Sequence, residues 1–165
     1  MKNRLFIILV IIGITACNRH SKNLKRLQAQ IDSLQIQLGN TYKPGFGEFM
    51  TGIQIHHAKL WFAGKNKNWK LADFEVQEIM EAIENIQKFQ TERKESQKIF
   101  MINFAIDSVN SAIRQQNFSA FESNFVLLTN TCNNCHRVTG HEFNIVKIPD
   151  APPFSNQVFK TQNEQ

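Results

Sequence analysis

Residues 117–140 read NFSAFESNFVLLTNTCNNCHRVTG. Phe118, Phe121, Phe125, Leu128, Cys132 and Cys135 recur at steps of three and four, the period of one face of an α-helix. A strand would alternate apolar and polar residues, and this segment does not. The two cysteines therefore sit on the apolar face of a helix, and His136 follows the second of them directly. Gly140 supplies the stop signal. A helix that ends in Cys-Asn-Asn-Cys-His predicts both the fold class and the chemistry.

The same period recurs upstream. Phe46, Met50, Ile53, His57 and Leu60 form a first stripe. Ala72, Val76, Ile79, Ile83 and Ile86 form a second, opened by Asn68 as N-cap. Ile99, Ile102, Ile106, Val109 and Ile113 form a third. No segment sustains two-residue alternation, so no sheet is expected. Short polar connectors, GKNKN, QTERKESQ and RQQN, join the stripes. The expected fold is all-α, an antiparallel four-helix bundle over residues 44–165. The openings NWKLADFE and NFSAFESN echo each other, which suggests two similar helical hairpins. After Gly140 come Pro149, Pro152 and Pro153, which forbid a regular helix. The apolar residues among them, Phe143, Ile145, Val146, Ile148, Phe154 and Phe159, predict an extended C-terminal strap packed on the domain.

The chain has 165 residues, of which 42% are hydrophobic and 14 are Phe, enough for one substantial core. The N-terminus, MKNRLFIILVIIGITAC, carries Lys2 and Arg4 before an apolar run from Leu5 to Ile14. That run is shorter than the roughly 20 residues of a membrane span. It reads as a signal peptide, residues 1–16, ending in a segment that resembles a bacterial lipobox with Cys17 as the lipidated residue. An ordinary signal peptide or an uncleaved anchor is the alternative. Cleavage would lower the formal charge of +5 by two, since Lys2 and Arg4 depart with no acid. No arginine-rich stripe with interleaved aromatics is present, so the charge does not indicate nucleic-acid binding. Residues 17–43 form a linker in which Leu24, Leu27, Ile31, Leu34 and Leu38 follow a heptad. This coiled-coil-like helix is either a weak homo-oligomerising stalk over 24–38, an arm docked elsewhere, or a spacer helix.

With Cys17 assigned to lipid, Cys132 and Cys135 are the only remaining thiols, so a disulfide framework is excluded. Four readings of the pair compete. A thioredoxin-like dithiol belongs after a strand in a βαβ unit, and none is expected. A zinc site needs four ligands, and only His141 lies near as an extra donor. Covalent haem attachment needs two thiols and an axial histidine, which Cys132, Cys135 and His136 supply. Chance spacing is the fourth. The expected exported compartment favours one covalent haem c.

A helical bundle with CNNCH near the end of its last helix resembles the class II c-type cytochromes, the cytochrome c′ and c-556 group. IQIHHAKLWFAGKNKNWKLADFE and APPFSNQVF are more narrowly similar to a little-characterised group of exported cytochrome-like proteins. The resemblance covers residues 42–159, and CxxCH is its only chemically specific motif. It implies an axial histidine at His136. Opposite the histidine it implies either an apolar residue with five-coordinate iron or a methionine on the first helix.

In an antiparallel pair, the level of His136 on the fourth helix matches Phe49 or Met50 on the first. His57 lies seven residues on, about 10 Å farther along the axis. Met50 is thus the leading distal ligand, with His57 or an open site as alternatives. His57 is otherwise a buried, hydrogen-bonded core histidine. Its neighbour His56 projects about 100° away and is expected on the surface. His141 falls in a solvated turn or touches a haem propionate. Trp61 and Trp69 read as core, while Phe46, Phe49 and Phe125 are candidate pocket walls. Lys59, Lys65, Lys67 and Lys70 form either a patch for an acidic redox partner or a solvated helix end. The expected function is single-electron transfer by a lipid-anchored monohaem cytochrome, with no bond chemistry of its own. It would face the periplasm, on the outer membrane by the polar, non-acidic residues after Cys17. A five-coordinate protein binding nitric oxide or carbon monoxide, and a haem-free lipoprotein interaction module, are the alternatives.

Overall fold

The computed structural model describes residues 22–39 and 44–161. The expected signal peptide and Cys17 lie outside the described residues. The chain divides after Lys43 into two units. The first holds α1, residues 22–39, whose heptad side chains are all exposed.

The second unit holds α2 (Phe46–Lys65), α3 (Trp69–Phe89), a 3-10 helix (Ser96–Ile102), α4 (Asn103–Arg114) and α5 (Phe118–Val138). Among the described residues there is no strand. α2 packs on α3, α3 on α4, α4 on α5 and α5 back on α2, so the contacts close a ring around one core. Each apolar stripe faces it. Leu60, Ala72, Val76, Ile86, Val109, Phe121 and Phe125 are fully enclosed. An aromatic row runs through the middle: Trp61 lies 4.9 Å from Phe125, Phe121 lies 5.8 Å from Phe125, and Trp69 meets Phe121 edge-on at 6.1 Å. Trp61 is a core residue, and Trp69 is partly buried and packs against the core.

Two turns in this unit are built alike. Lys67 and Gln116 have φ of 53° and 51°, each two residues beyond the last residue of a helix. Lys67 N–H donates to Gly64 O and Asn68 N–H to Ala63 O, both at 2.9 Å. Gln116 N–H donates to Ile113 O at 2.9 Å and Asn117 N–H to Ala112 O at 3.0 Å. This is the Schellman closure. The same asparagine then caps the next helix: Asn68 Oδ1 accepts from Leu71 N–H at 3.3 Å, and Asn117 Oδ1 from Ala120 N–H at 3.1 Å. The echo between NWKLADFE and NFSAFESN is thus a repeated stop-and-start turn.

Three sequence expectations change. The third stripe starts in a 3-10 helix, where the three-residue step from Ile99 to Ile102 keeps both on the core side. His56 is half-buried, because Glu75 on α3 is 1% exposed and its Oε2 lies 2.6 Å from His56 Nδ1. Lys59 also lies 3.8 Å from Glu75, which removes it from any free basic patch. Beyond α5, Phe159 is buried and accepts a hydrogen bond from Asn68 Nδ2 at 3.2 Å. Phe143 and Ile145, by contrast, are 80% and 76% exposed, not packed.

Candidate functional site

The site begins with the way α5 ends. Gly140 adopts φ +81°, its N–H donates to Arg137 O at 3.3 Å, and His141 N–H donates to His136 O at 2.7 Å. This third Schellman turn is the one with glycine at the left-handed position, where no Cβ clashes. It sends the chain back along the helix it has just left. Asn144 O then accepts from His136 Nδ1 at 2.6 Å. Asn133 grips the next residues at two points, with Nδ2 donating to Val146 O and Oδ1 accepting from Val146 N–H, both at 2.8 Å.

The His136 contact fixes the imidazole chemically. A carbonyl oxygen only accepts, so Nδ1 carries the proton and the neutral ring keeps its lone pair on Nε2. Metal-binding histidines are oriented in this way, by donating the other ring N–H to a carbonyl or carboxylate.

Cys132, Cys135, His136, Met50 and His57 all line one cavity of about 320 Å³. That is near the lower end of the range for small-molecule sites, about 300–1,000 Å³. Phe46 and Ile53 of α2, and Ile99 and Ile102 of the 3-10 helix, make its walls apolar. Val146 also lines it, so the clamp by Asn133 shapes the wall. Phe125 stands one layer behind, its ring tilted 32° against that of His57 with centroids 4.4 Å apart.

Burial tunes the titratable groups. Cys132 is pushed up to about 12, first by desolvation and then by the neighbouring Cys135. Cys135 is raised by desolvation and by the charge of Glu95. Both sulfurs are free thiols. A redox dithiol needs an accessible thiolate, and the desolvation of both sulfurs opposes it. Among the described residues no three His, Cys, Asp or Glu side chains gather as a metal site. His57 is 4% exposed, and its burial pulls its pKa down to about 4. Its Nε2 lies 2.9 Å from Thr129 Oγ1, whose own hydroxyl donates to Phe125 O at 2.9 Å. Met50 has no such role and packs partly buried against the core.

Several site residues were not legible. Asn133 sits at a variable position of the cysteine motif, where nothing distinguishes it from Asn134. Arg93 and Glu95 line the cavity from a polar run that reads as a separator between helices. His141, in the turn after α5 with its side chain 40% exposed, also borders the cavity. Thr129 gave no signal before its partner was known.

Compared with known proteins, the chain matches no family model, no curated protein and no solved structure.

Proposed function

We propose that residues 44–165 are an antiparallel four-helix bundle, closed by a C-terminal strap, that carries one covalent haem c for single-electron transfer. The observation that carries the reading is the Nδ1–H bond of His136 to Asn144 O, in an apolar cavity that both motif thiols line. An antiparallel arrangement of α2 and α5 is supported at both ends. Phe46 and Met50, from the start of α2, share the cavity with His136 near the end of α5. Gly64, from the end of α2, faces Phe121 at the start of α5.

The residues present fit a haem. Tetrapyrrole iron asks the protein for axial ligands alone, so the lack of a three-donor cluster is no obstacle. Neutral thiols suit thioether attachment, Cys132 and Cys135 tethering the group from one helix face. His136 Nε2 would hold the iron, with Met50 as its second ligand, because His57 Nε2 is committed to Thr129 and its ring to Phe125. When bound, haem supplies a one-electron iron couple. The chain holds it, keeps water from it with Phe46, Ile53, Ile99 and Ile102, and disfavours the charged ferric state by that burial. The reading makes the protein an exported lipoprotein, held by lipid on Cys17 to the periplasmic side of a membrane, and no enzyme. Its partner is a redox protein.

A pyridine haemochrome spectrum of the exported protein tests the reading, and colourless material would end it. Cys135→Ala should weaken or abolish haem stain on a denaturing gel. Met50→Ala should convert low-spin iron to high-spin. High-spin wild-type protein that responds to carbon monoxide would instead assign gas binding.

A further inference from the structure

The cavity is mainly apolar, and its charged side chains gather at one end. Arg93 and Glu95 reach it from the connector between α3 and the 3-10 helix, and His141 from the turn after α5. These side chains already grip a carboxylate. Glu95 Oε1 accepts from Arg93 Nη2 at 3.2 Å and lies 3.7 Å from His141 Nε2. The Arg93 guanidinium is fixed over the ring of Phe46, 5.3 Å from its centroid. His141 Nδ1 donates to Thr139 O at 3.1 Å, so Nε2, which faces Glu95, has a hydrogen to donate only when the ring is an imidazolium. Hydrogen bonding to its own backbone N–H, and next the Arg93 guanidinium, hold the Glu95 carboxyl below the usual carboxylate range.

One carboxylate oxygen uses a single N–H of Arg93, and a guanidinium offers five. The pair therefore has capacity for a second carboxylate, supplied from within the cavity. An apolar wall solvates no charge, so a planar ligand with anionic substituents must direct them to this end.

We infer that Arg93 forms a carboxylate subsite of the cavity, beside His141, where a propionate of the tetrapyrrole docks in competition with the carboxylate of Glu95. The inference rests on the haem reading and adds to it which residue recognises the ligand's acidic edge. Arg93 attracts the propionate, and Glu95 opposes it until displaced.

The test uses the full chain, produced without the haem-attachment machinery, and ferric mesoporphyrin IX. That porphyrin carries ethyl groups in place of vinyls, so it forms no thioether and reports reversible binding. Its dimethyl ester masks both carboxylates. Absorbance titration should show the diacid binding about tenfold tighter than the diester, the size expected of a charge-assisted hydrogen bond. Arg93→Gln should erase that preference while leaving diester affinity within about twofold. Glu95→Gln should tighten the diacid severalfold and leave the diester unchanged, a change of sign that lost folding would not produce. Equal binding of diacid and diester by the native chain, or an unchanged preference in Arg93→Gln, would overturn the subsite alone. Failure to bind either porphyrin would overturn the haem reading together with it.

Discussion

Two imidazoles in this cavity are held through opposite nitrogens, and the difference sorts their roles. His136 donates from Nδ1 to the carbonyl of Asn144 and keeps Nε2 as a base. His57 donates from Nε2 to Thr129, whose one hydroxyl proton is already given to Phe125 O. The second ring is buried and neutral, which makes it a pH liability. In the unfolded chain it takes up a proton near pH 6.5, but in the folded chain only near 4. Between those values the unfolded state binds more protons, so stability falls as pH falls; above 6.5 this group contributes no pH dependence. Without haem, urea unfolding at pH 7 and pH 4 should differ by about 3 kcal/mol from this residue. His57→Phe should flatten that part of the profile, and an unflattened slope would place the proton uptake elsewhere. Asn133 offers a second check at this scale. Asn133→Ala strips Val146 of both its side-chain partners, so exchange at the Val146 amide should speed up markedly while amides of the α4 core stay protected.

At the scale of elements, the helices meet where side chains are missing. A Cβ on Gly64 would lie 2.1 Å from the Phe121 ring, so the end of α2 passes α5 only because that position is glycine. Gly64→Ala should cost about 1–3 kcal/mol or more in chemical unfolding, with partial rescue by Phe121→Leu. The paired turns predict the opposite sign. Lys67 and Gln116 hold left-handed φ that side chains disfavour. Glycine at either should raise stability by about 0.5–1 kcal/mol, the left-handed strain relieved exceeding the extra chain entropy lost. This scale also shows why some of the molecule was legible and some was not. The stripes of α2, α3 and α5 were readable because burial at a 3.6-residue period leaves its mark on every turn. The cysteine motif was readable because its spacing is chemical. Glu75 was not: a carboxylate facing α2 looks like any solvated helix residue until His56 is seen beside it. Phe143 and Ile145 misled for the converse reason. Apolar character predicts burial only where the backbone is free to turn inward, and Asn133 and His136 hold that stretch by its main chain, leaving its alternate side chains outside.

At the scale of the whole molecule, the cavity-bearing unit buries its stripes within itself, while α1 buries none of its own. Leu24, Leu27, Ile31, Leu34 and Leu38 are 48–76% exposed on a helix of residues 22–39. At 18 residues α1 is only slightly longer than the roughly 12–15 residues below which an isolated helix is marginal in water even for favourable sequences. Its apolar seam is narrow, five residues at a and d positions with Ile36 alone among the large apolar side chains lying off it, which suits a facing helix better than a flat core. The flanking positions Asn23, Gln28, Gln30 and Gln35 are uncharged, so a second copy meets no like-charge repulsion. The expected outcome is weak self-association through α1, because little more than two heptads contribute. In sedimentation equilibrium, full-length protein with Cys17→Ser should gain apparent mass as concentration rises. The pair Leu27→Asp and Leu34→Asp should hold it monomeric without lowering the melting temperature of the cavity-bearing unit, since residues 44–161 carry their own core. A mass that stays monomeric at every concentration would leave α1 as a spacer. A mass that rises equally in the double variant would move the contact off the stripe.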